Sequence, residues 1–136
     1  MKYIAILIFL FVNLNASMVF SCFTEFIIHE GKRYSPPDNM KKFMIRFSDD
    51  KNILVFKTQN GQSHYNYKSF IPPTENIKSI GVSYENEGKF LDIFNDNYLY
   101  FGFIDSGLML KAKCPSMNLN IKVIGKNSIG QTIYGF

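Results

Sequence analysis

From Lys42 onward the chain alternates apolar and polar positions in short runs separated by turn-forming residues. A period of two is the signature of a half-buried strand. "KKFMIRFS" puts Phe43, Ile45 and Phe47 on one face and Lys42, Met44 and Arg46 on the other. A four-residue loop, Asp49 to Asn52, then sets Phe47 opposite Leu54 and Ile45 opposite Phe56. The next stretch, "KNILVFKTQNGQSHYNYKSF", has Asn60-Gly61 at its middle, the residue pair favoured in a type I′ hairpin turn. With those two residues as the loop, Gln59 faces Gln62, Lys57 faces His64, Phe56 faces Tyr65 and Leu54 faces Tyr67. One face then carries Leu54, Phe56, Tyr65 and Tyr67. The other carries Lys57, His64, Asn66 and Lys68, with Val55 as its exception.

The C-terminal half repeats the pattern. Asn86-Glu87-Gly88-Lys89 joins "SIGVSY" to "LDIF" and pairs Val82 with Ile93 and Tyr84 with Leu91. Asn95-Asp96-Asn97 turns the chain into "YLYFGFI". Ser106-Gly107 turns it again into "LMLKAKC", setting Phe103 against Leu110, Phe101 against Ala112 and Leu99 against Cys114. "MNLNIKVI" places Met117, Leu119, Ile121 and Val123 on one face. No helical period appears, and "GKRYSPPDNM" and "IPPTEN" are the two long breaks. The expected fold is all-β: a small antiparallel meander of about eight to ten short strands, closed as a barrel or packed as a sandwich.

The N-terminus reads differently. Lys2 precedes the apolar run "IAILIFLFV", and the more polar "NLNASMVFS" precedes Cys22. This is the layout of a secretory signal, with an apolar part too short for a membrane span. Residues 1–21 are therefore expected to be a signal peptide and residues 22–136 a single all-β domain, exported to a periplasmic or extracellular compartment. Ala16, or Ser21 with Val19 behind it, supplies the small residue for cleavage. "VFSC" also resembles a lipobox, although Phe20 stands where a smaller residue is usual. The resemblance implies a lipid anchor at Cys22 and a membrane-held protein.

The chain has two cysteines, Cys22 and Cys114, and exported proteins seldom leave thiols unpaired. A bridge between them would close a loop of roughly 90 residues and contribute on the order of 4 kcal/mol. Lipidation of Cys22 would instead leave Cys114 as a buried thiol. Both readings stay open on sequence.

Charge and motifs narrow the function classes. The net charge is +4, or about +3 once Lys2 leaves with the signal. The lysines are dispersed, and no nucleic-acid-binding motif is present, so nucleic acid is not an expected partner. No hydrolase, metalloprotease or phosphate-loop motif occurs. His29 and His64 stand alone, and the carboxylates Asp49, Asp50, Glu85, Glu87, Asp92 and Asp96 fall in or beside turns, which favour them for solvation. No enzyme activity, metal or cofactor is expected.

The outer face of two strands is more informative. If Leu99, Phe101 and Phe103 point inward, Tyr98 and Tyr100 point out beside Phe90 and Phe94. These four aromatics are the candidate binding patch, since tyrosine buries much area at low entropic cost. The last six residues, "QTIYGF", resemble the terminal signature of bacterial outer-membrane barrels. Against that, strands of about seven residues are shorter than the 9–11 a membrane strand needs. Arg46, Lys57, Lys68, Lys111, Lys113 and Lys122 would also crowd a narrow lumen. The expected function is an exported β-domain that binds another macromolecule, in the manner of an inhibitor or immunity protein, with another protein as the partner. The alternatives are a lipocalin-like carrier of a small apolar ligand and a surface-anchored structural lipoprotein.

Overall fold

A computed structural model describes residues 19–136. The strands are β1 (Val19–His29), β2 (Lys32–Tyr34), β3 (Lys42–Phe47), β4 (Ile53–Thr58), β5 (Gly61–Ile71), β6 (Gly81–Asn86), β7 (Lys89–Phe94), β8 (Tyr98–Phe103), β9 (Met109–Lys113), β10 (Lys122–Lys126) and β11 (Thr132–Gly135). A 3-10 turn, Asp38–Met40, precedes β3. Eight strands, β1 and β3 to β9, pair antiparallel in sequence order, and β1 pairs back onto β9, so the sheet closes into a barrel. Of the two architectures expected from sequence, the barrel is the one formed. β2 adds to the far half of β1, and β10–β11 form a separate hairpin. Most of the proposed signal peptide lies outside the described residues. Its last three residues, Val19 to Ser21, belong to β1 and pair with Arg46, Ile45 and Met44.

The alternation assigns the faces correctly, because side chains on a strand repeat every two residues. Phe43, Ile45, Phe47, Leu54, Phe56, Tyr65, Val82, Tyr84, Leu91, Ile93, Leu99 and Leu110 fill one core. The β3–β4 pairs Phe47–Leu54 and Ile45–Phe56 and the β6–β7 pairs Val82–Ile93 and Tyr84–Leu91 stand as expected. Glu87 and Gly88 turn with φ of 42° and 79°, the left-handed pair that a type I′ hairpin requires.

Two turns differ from expectation. In the β4–β5 hairpin the loop is Gln59-Asn60, not Asn60-Gly61, and Leu54 pairs with Tyr65 and Phe56 with Ser63. Thr58 Oγ1 accepts a hydrogen bond from the Asn60 N–H at 3.2 Å, and the positive φ, 135°, falls on Gly61. In the β8–β9 hairpin the loop spans residues 104–107, so Phe101 pairs with Leu110 and Leu99 with Ala112. Gly107 takes the positive φ there. Each shift is two residues, an even number, so no side chain changes face. Tyr67 is displaced more: a bulge between Tyr67 and Ser69 leaves it at the barrel end, partly exposed, with its ring against Tyr84 and Phe70.

Both ends of the barrel are covered. At one end Met117, Leu119 and Ile121 are buried in the core, and the Asn95 side chain donates to the Ile121 carbonyl at 2.8 Å. Val123, expected on the same face, is exposed instead. Tyr134 and Phe136 pack on Phe70 at this end and form no part of the barrel wall, unlike the terminal strand of an outer-membrane barrel. At the other end Thr24 ties down the 3-10 segment: its Oγ1 donates to the Met40 carbonyl at 2.6 Å and its N–H to the Lys41 carbonyl at 2.9 Å. The Cys22–Cys114 disulfide, fully buried, crosses from the first strand to the end of β9. It staples the edge at which the barrel closes.

Candidate binding face

The wall strands β7 and β8 hold their inner side chains in the core, so alternate residues must face out. The three-residue loop Asn95-Asp96-Asn97 sets the register expected from sequence, with Ile93 opposite Leu99 and Asp92 opposite Tyr100. Asn97 adopts φ 71° to close the turn. Phe90, Phe94, Tyr98 and Tyr100 accordingly share the outer face.

They do not share one environment. Phe94 is only 5% exposed. A Cβ at Gly81 would lie 2.7 Å from its ring, so the absence of a side chain at Gly81 is the socket that Phe94 fills. Phe90 lies over Gly102 in the same way. Phe94 meets Tyr100 edge-on at 5.7 Å. Tyr98 and Tyr100 are half-buried, with lysine ammonium groups over their rings. Lys111 Nζ stands 4.5 Å from the Tyr98 ring and 6.0 Å from Tyr100, and Lys113 Nζ stands 5.4 Å from Tyr98.

Barrel closure extends this face with residues that sequence reasoning did not assign to it. Phe23 pairs with Lys113 and Phe26 with Lys111. A bulge between Thr24 and Phe26 places both rings outside although they are three apart in sequence. Arg33 lies 4.4 Å from the Phe26 ring centre, Lys111 5.6 Å from it, and Lys42 5.6 Å from that of Phe23. Phe23 is 46% exposed. The result is a band of aromatic rings across β1, β9, β8 and β7 with Arg33, Lys42, Lys111 and Lys113 laid over it. Cations over ring faces are attracted by the ring quadrupole. Among the described residues the ion pairs are Lys41–Asp38 and Lys68–Glu85, so none of these four cations is in one. The outward setting of Lys111 and Lys113 was readable from their alternation with Leu110 and Ala112. The bulge in β1 had no such signal.

One carboxylate interrupts the band. Asp92 lies between Phe90 and Phe94 on β7 and opposite Ser83 and Tyr100. Burial pushes its carboxyl above the ordinary carboxylate range, opposed by a hydrogen bond with Ser83 and by the charge of Lys68. Its Oδ1 is buried without a hydrogen-bond partner.

Other candidate chemistry is sparse. His29 and His64 are exposed, and no group of three or more metal-ligating side chains occurs among the described residues. Asp50 is engaged by its own loop, accepting from Ser48 Oγ at 2.6 Å, the Asn52 N–H at 3.1 Å and Asn52 Nδ2 at 3.0 Å. Inside the barrel Phe56 stacks on Phe101 at 5.1 Å and Phe43 lies 4.7 Å from Phe56. The gap beside them, lined by Ile27, Met40, Phe101, Phe103, Leu108 and Leu110, holds about 50 Å³. A larger open depression of about 650 Å³ lies outside the barrel, between β5 and the C-terminal hairpin. Comparison of the chain with family models, with curated proteins and with solved structures finds no match.

Proposed function

We propose that this protein is an exported, non-enzymatic β-barrel that binds another protein through the outer face of β1, β9, β8 and β7. The observation that carries the reading is the band of rings and unpaired cations on that face. Tyrosine, phenylalanine and arginine at the centre of a rigid surface are the usual anchors of protein interfaces. Four cations without carboxylate partners suit an acidic counterpart and would steer it into place. The face is held by a closed sheet, so little ordering remains to oppose binding. An inhibitor or immunity-type role fits such a surface.

Two further observations support parts of this reading. A buried disulfide suits an oxidising, extracytoplasmic compartment. It also occupies the Cys22 sulfur, which favours a bridged, unanchored protein over a lipoprotein. Inside the barrel the rings stack and the enclosed gap beside them holds only about 50 Å³. The larger space of about 310 Å³ at the mouth, beside Met40, Phe56, Tyr65 and Phe101, is open to solvent, whereas a carrier encloses most of its ligand. Cleavage after Ala16 would leave β1 whole, whereas cleavage after Ser21 would remove three of its paired residues.

The test is affinity capture from the native host with wild type, Tyr98→Ala and Lys111→Ala. A partner retained by wild type should be lost by both variants, each change costing roughly 2 kcal/mol of binding. Thermal unfolding of the same proteins should show modest losses of stability. If Tyr98→Ala, and Tyr100→Ala unfolded alongside it, each collapse the unfolding midpoint, these rings are structural and the proposed face is wrong.

A further inference from the structure

We propose that the hairpin β10–β11 is a docking tip for an anionic lipid surface, with Ile129, Ile124 and Val123 entering the interface and Lys122 and Lys126 meeting the headgroups. This surface is separate from the protein-binding face and does not depend on it.

Four observations converge. First, Ile129 at the hairpin turn is 75% exposed, and Ile124 and Val123 are 58% and 56% exposed. These side chains lie on a short hairpin outside the barrel wall, where they serve no core. Second, the chain has no Asp or Glu side chain after Asp105, so the only side-chain charges on the hairpin are Lys122 and Lys126. An apolar tip flanked by lysines alone has the chemistry of a segment held at an anionic membrane surface.

Third, four of the five backbone N–H groups from Asn127 to Gln131 are satisfied from within the tip. Asn127 Oδ1 accepts from the Ile129 and Gln131 N–H groups at 3.1 and 2.9 Å. The Asn127 N–H donates to the Gln131 carbonyl at 3.0 Å, and the Gly130 N–H to the Asn127 carbonyl at 3.1 Å. Asn127 Nδ2 also donates to Gln131 Oε1 at 2.9 Å. Moving unsatisfied polar groups out of water is what usually keeps loops from entering lipid; here four donors of the turn already have partners. Fourth, the hairpin is fixed to the barrel: Tyr134 and Phe136 pack on Phe70, and Lys51 lies 4.5 Å from the Phe136 ring. The tip is therefore a presented feature of the domain. Ile104 provides the contrast. It is 60% exposed, but it lies at the opposite end of the barrel with a carboxylate, Asp105, as its chain neighbour.

The chain contains no tryptophan, which makes a site-specific test direct. The protein is purified after expression of the full chain, as wild type, Ile129→Trp and Ile104→Trp. Each is mixed with vesicles of phosphatidylcholine alone or with added phosphatidylglycerol, carrying brominated acyl chains as a quencher. The Ile129→Trp protein should show blue-shifted, quenched emission with the phosphatidylglycerol vesicles only, and Ile104→Trp should show neither change. Replacing both Lys122 and Lys126 by Gln should weaken partitioning roughly 25-fold, about fivefold per lysine. In the same Ile129→Trp protein, Val123→Asn with Ile124→Asn should abolish it while unfolding stays cooperative. The proposal is overturned if indole emission from the Ile129→Trp protein is unmoved by anionic vesicles, or if the Ile104→Trp protein responds equally. It is also overturned if the indole of the Ile129→Trp protein is already shielded without lipid in a concentration-dependent dimer, which would make a second copy the occupant.

Discussion

The barrel wall from Lys42 to Lys113 and the tail from Pro115 to Phe136 carry the same alternation of apolar and polar residues, yet they use it differently. In the wall, Val82, Leu91, Ile93 and Leu99 are fully buried and their backbones are laddered on both sides. In the tail, Met117, Leu119 and Ile121 are buried without a ladder, and the next residue of the series, Val123, is exposed. The barrel has already closed between β1 and β9, so no free wall edge remains for the tail to join. The tail uses its period of two to plug the barrel end, and a side chain, Asn95, takes the place of a ladder partner for Ile121. Asn120, at φ 53°, breaks the extended run within the plug. Alternation thus specifies which side chains seek burial; whether a sheet results depends on an available edge.

The strongest perturbation opens the wall at its closing edge. Cys22→Ser with Cys114→Ser should cost about 4 kcal/mol, the value for a bridge that closes a long loop. Urea unfolding with and without reductant measures it, and the double variant should be indifferent to reductant. A loss no larger than a surface substitution would mean that the β1–β9 ladder closes the barrel unaided. A weaker pair of changes sets wall directly against tail. Leu99→Ala empties a fully buried site and should cost about 3 kcal/mol. Ile124→Ala, on the exposed hairpin, should stay within about 0.5 kcal/mol. Equal losses would show that the hairpin is as integral as the wall.

How much of this was legible in the sequence follows from the same contrast. The faces of β3, β4, β6, β7 and β8 could be read because their alternation and their connecting turns agree. The β7–β8 register and the outward set of Phe90, Phe94, Tyr98 and Tyr100 were readable for that reason. Turn positions were less so. Thr58, through its hydroxyl, moves the β4–β5 loop one residue back on each strand from the Asn-Gly pair, and nothing in the alternation opposes an even shift. The rest of the binding face depends on closure. Phe23 and Phe26 reach Lys113 and Lys111 only because β1 meets β9, and only because a bulge resets their direction. The glycine sockets under Phe90 and Phe94 are also contacts between strands, so the burial of Phe94 was hidden from a reading along one strand.

The mildest change compares the outer side of the wall with the inner. The inner side carries no buried charge, whereas Asp92 on the outer side keeps a buried oxygen without a partner. Burial raises its carboxyl above the ordinary range in the folded protein, so the native state holds this proton more tightly than the unfolded chain does. The linked stability is fully present below the unfolded value, about 3.9, and is lost as pH rises through the higher folded value. At neutral pH the folded protein therefore carries the cost of a partly desolvated charge. Asp92→Asn removes that charge, keeps the shape and retains a hydrogen-bonding group for Ser83. It should stabilise the protein by about 1 kcal/mol at pH 7, the lower range for an unsatisfied buried polar group. The advantage should shrink as pH falls into the carboxylate range and wild-type Asp92 takes up its proton. Urea unfolding of both proteins from about pH 7 down to about pH 3, below the unfolded value, measures the difference. A constant gap would trace it to packing around Phe90, Phe94 and Tyr100, and a loss of stability at neutral pH would mean that the charged carboxylate is held by the lysine side of the face.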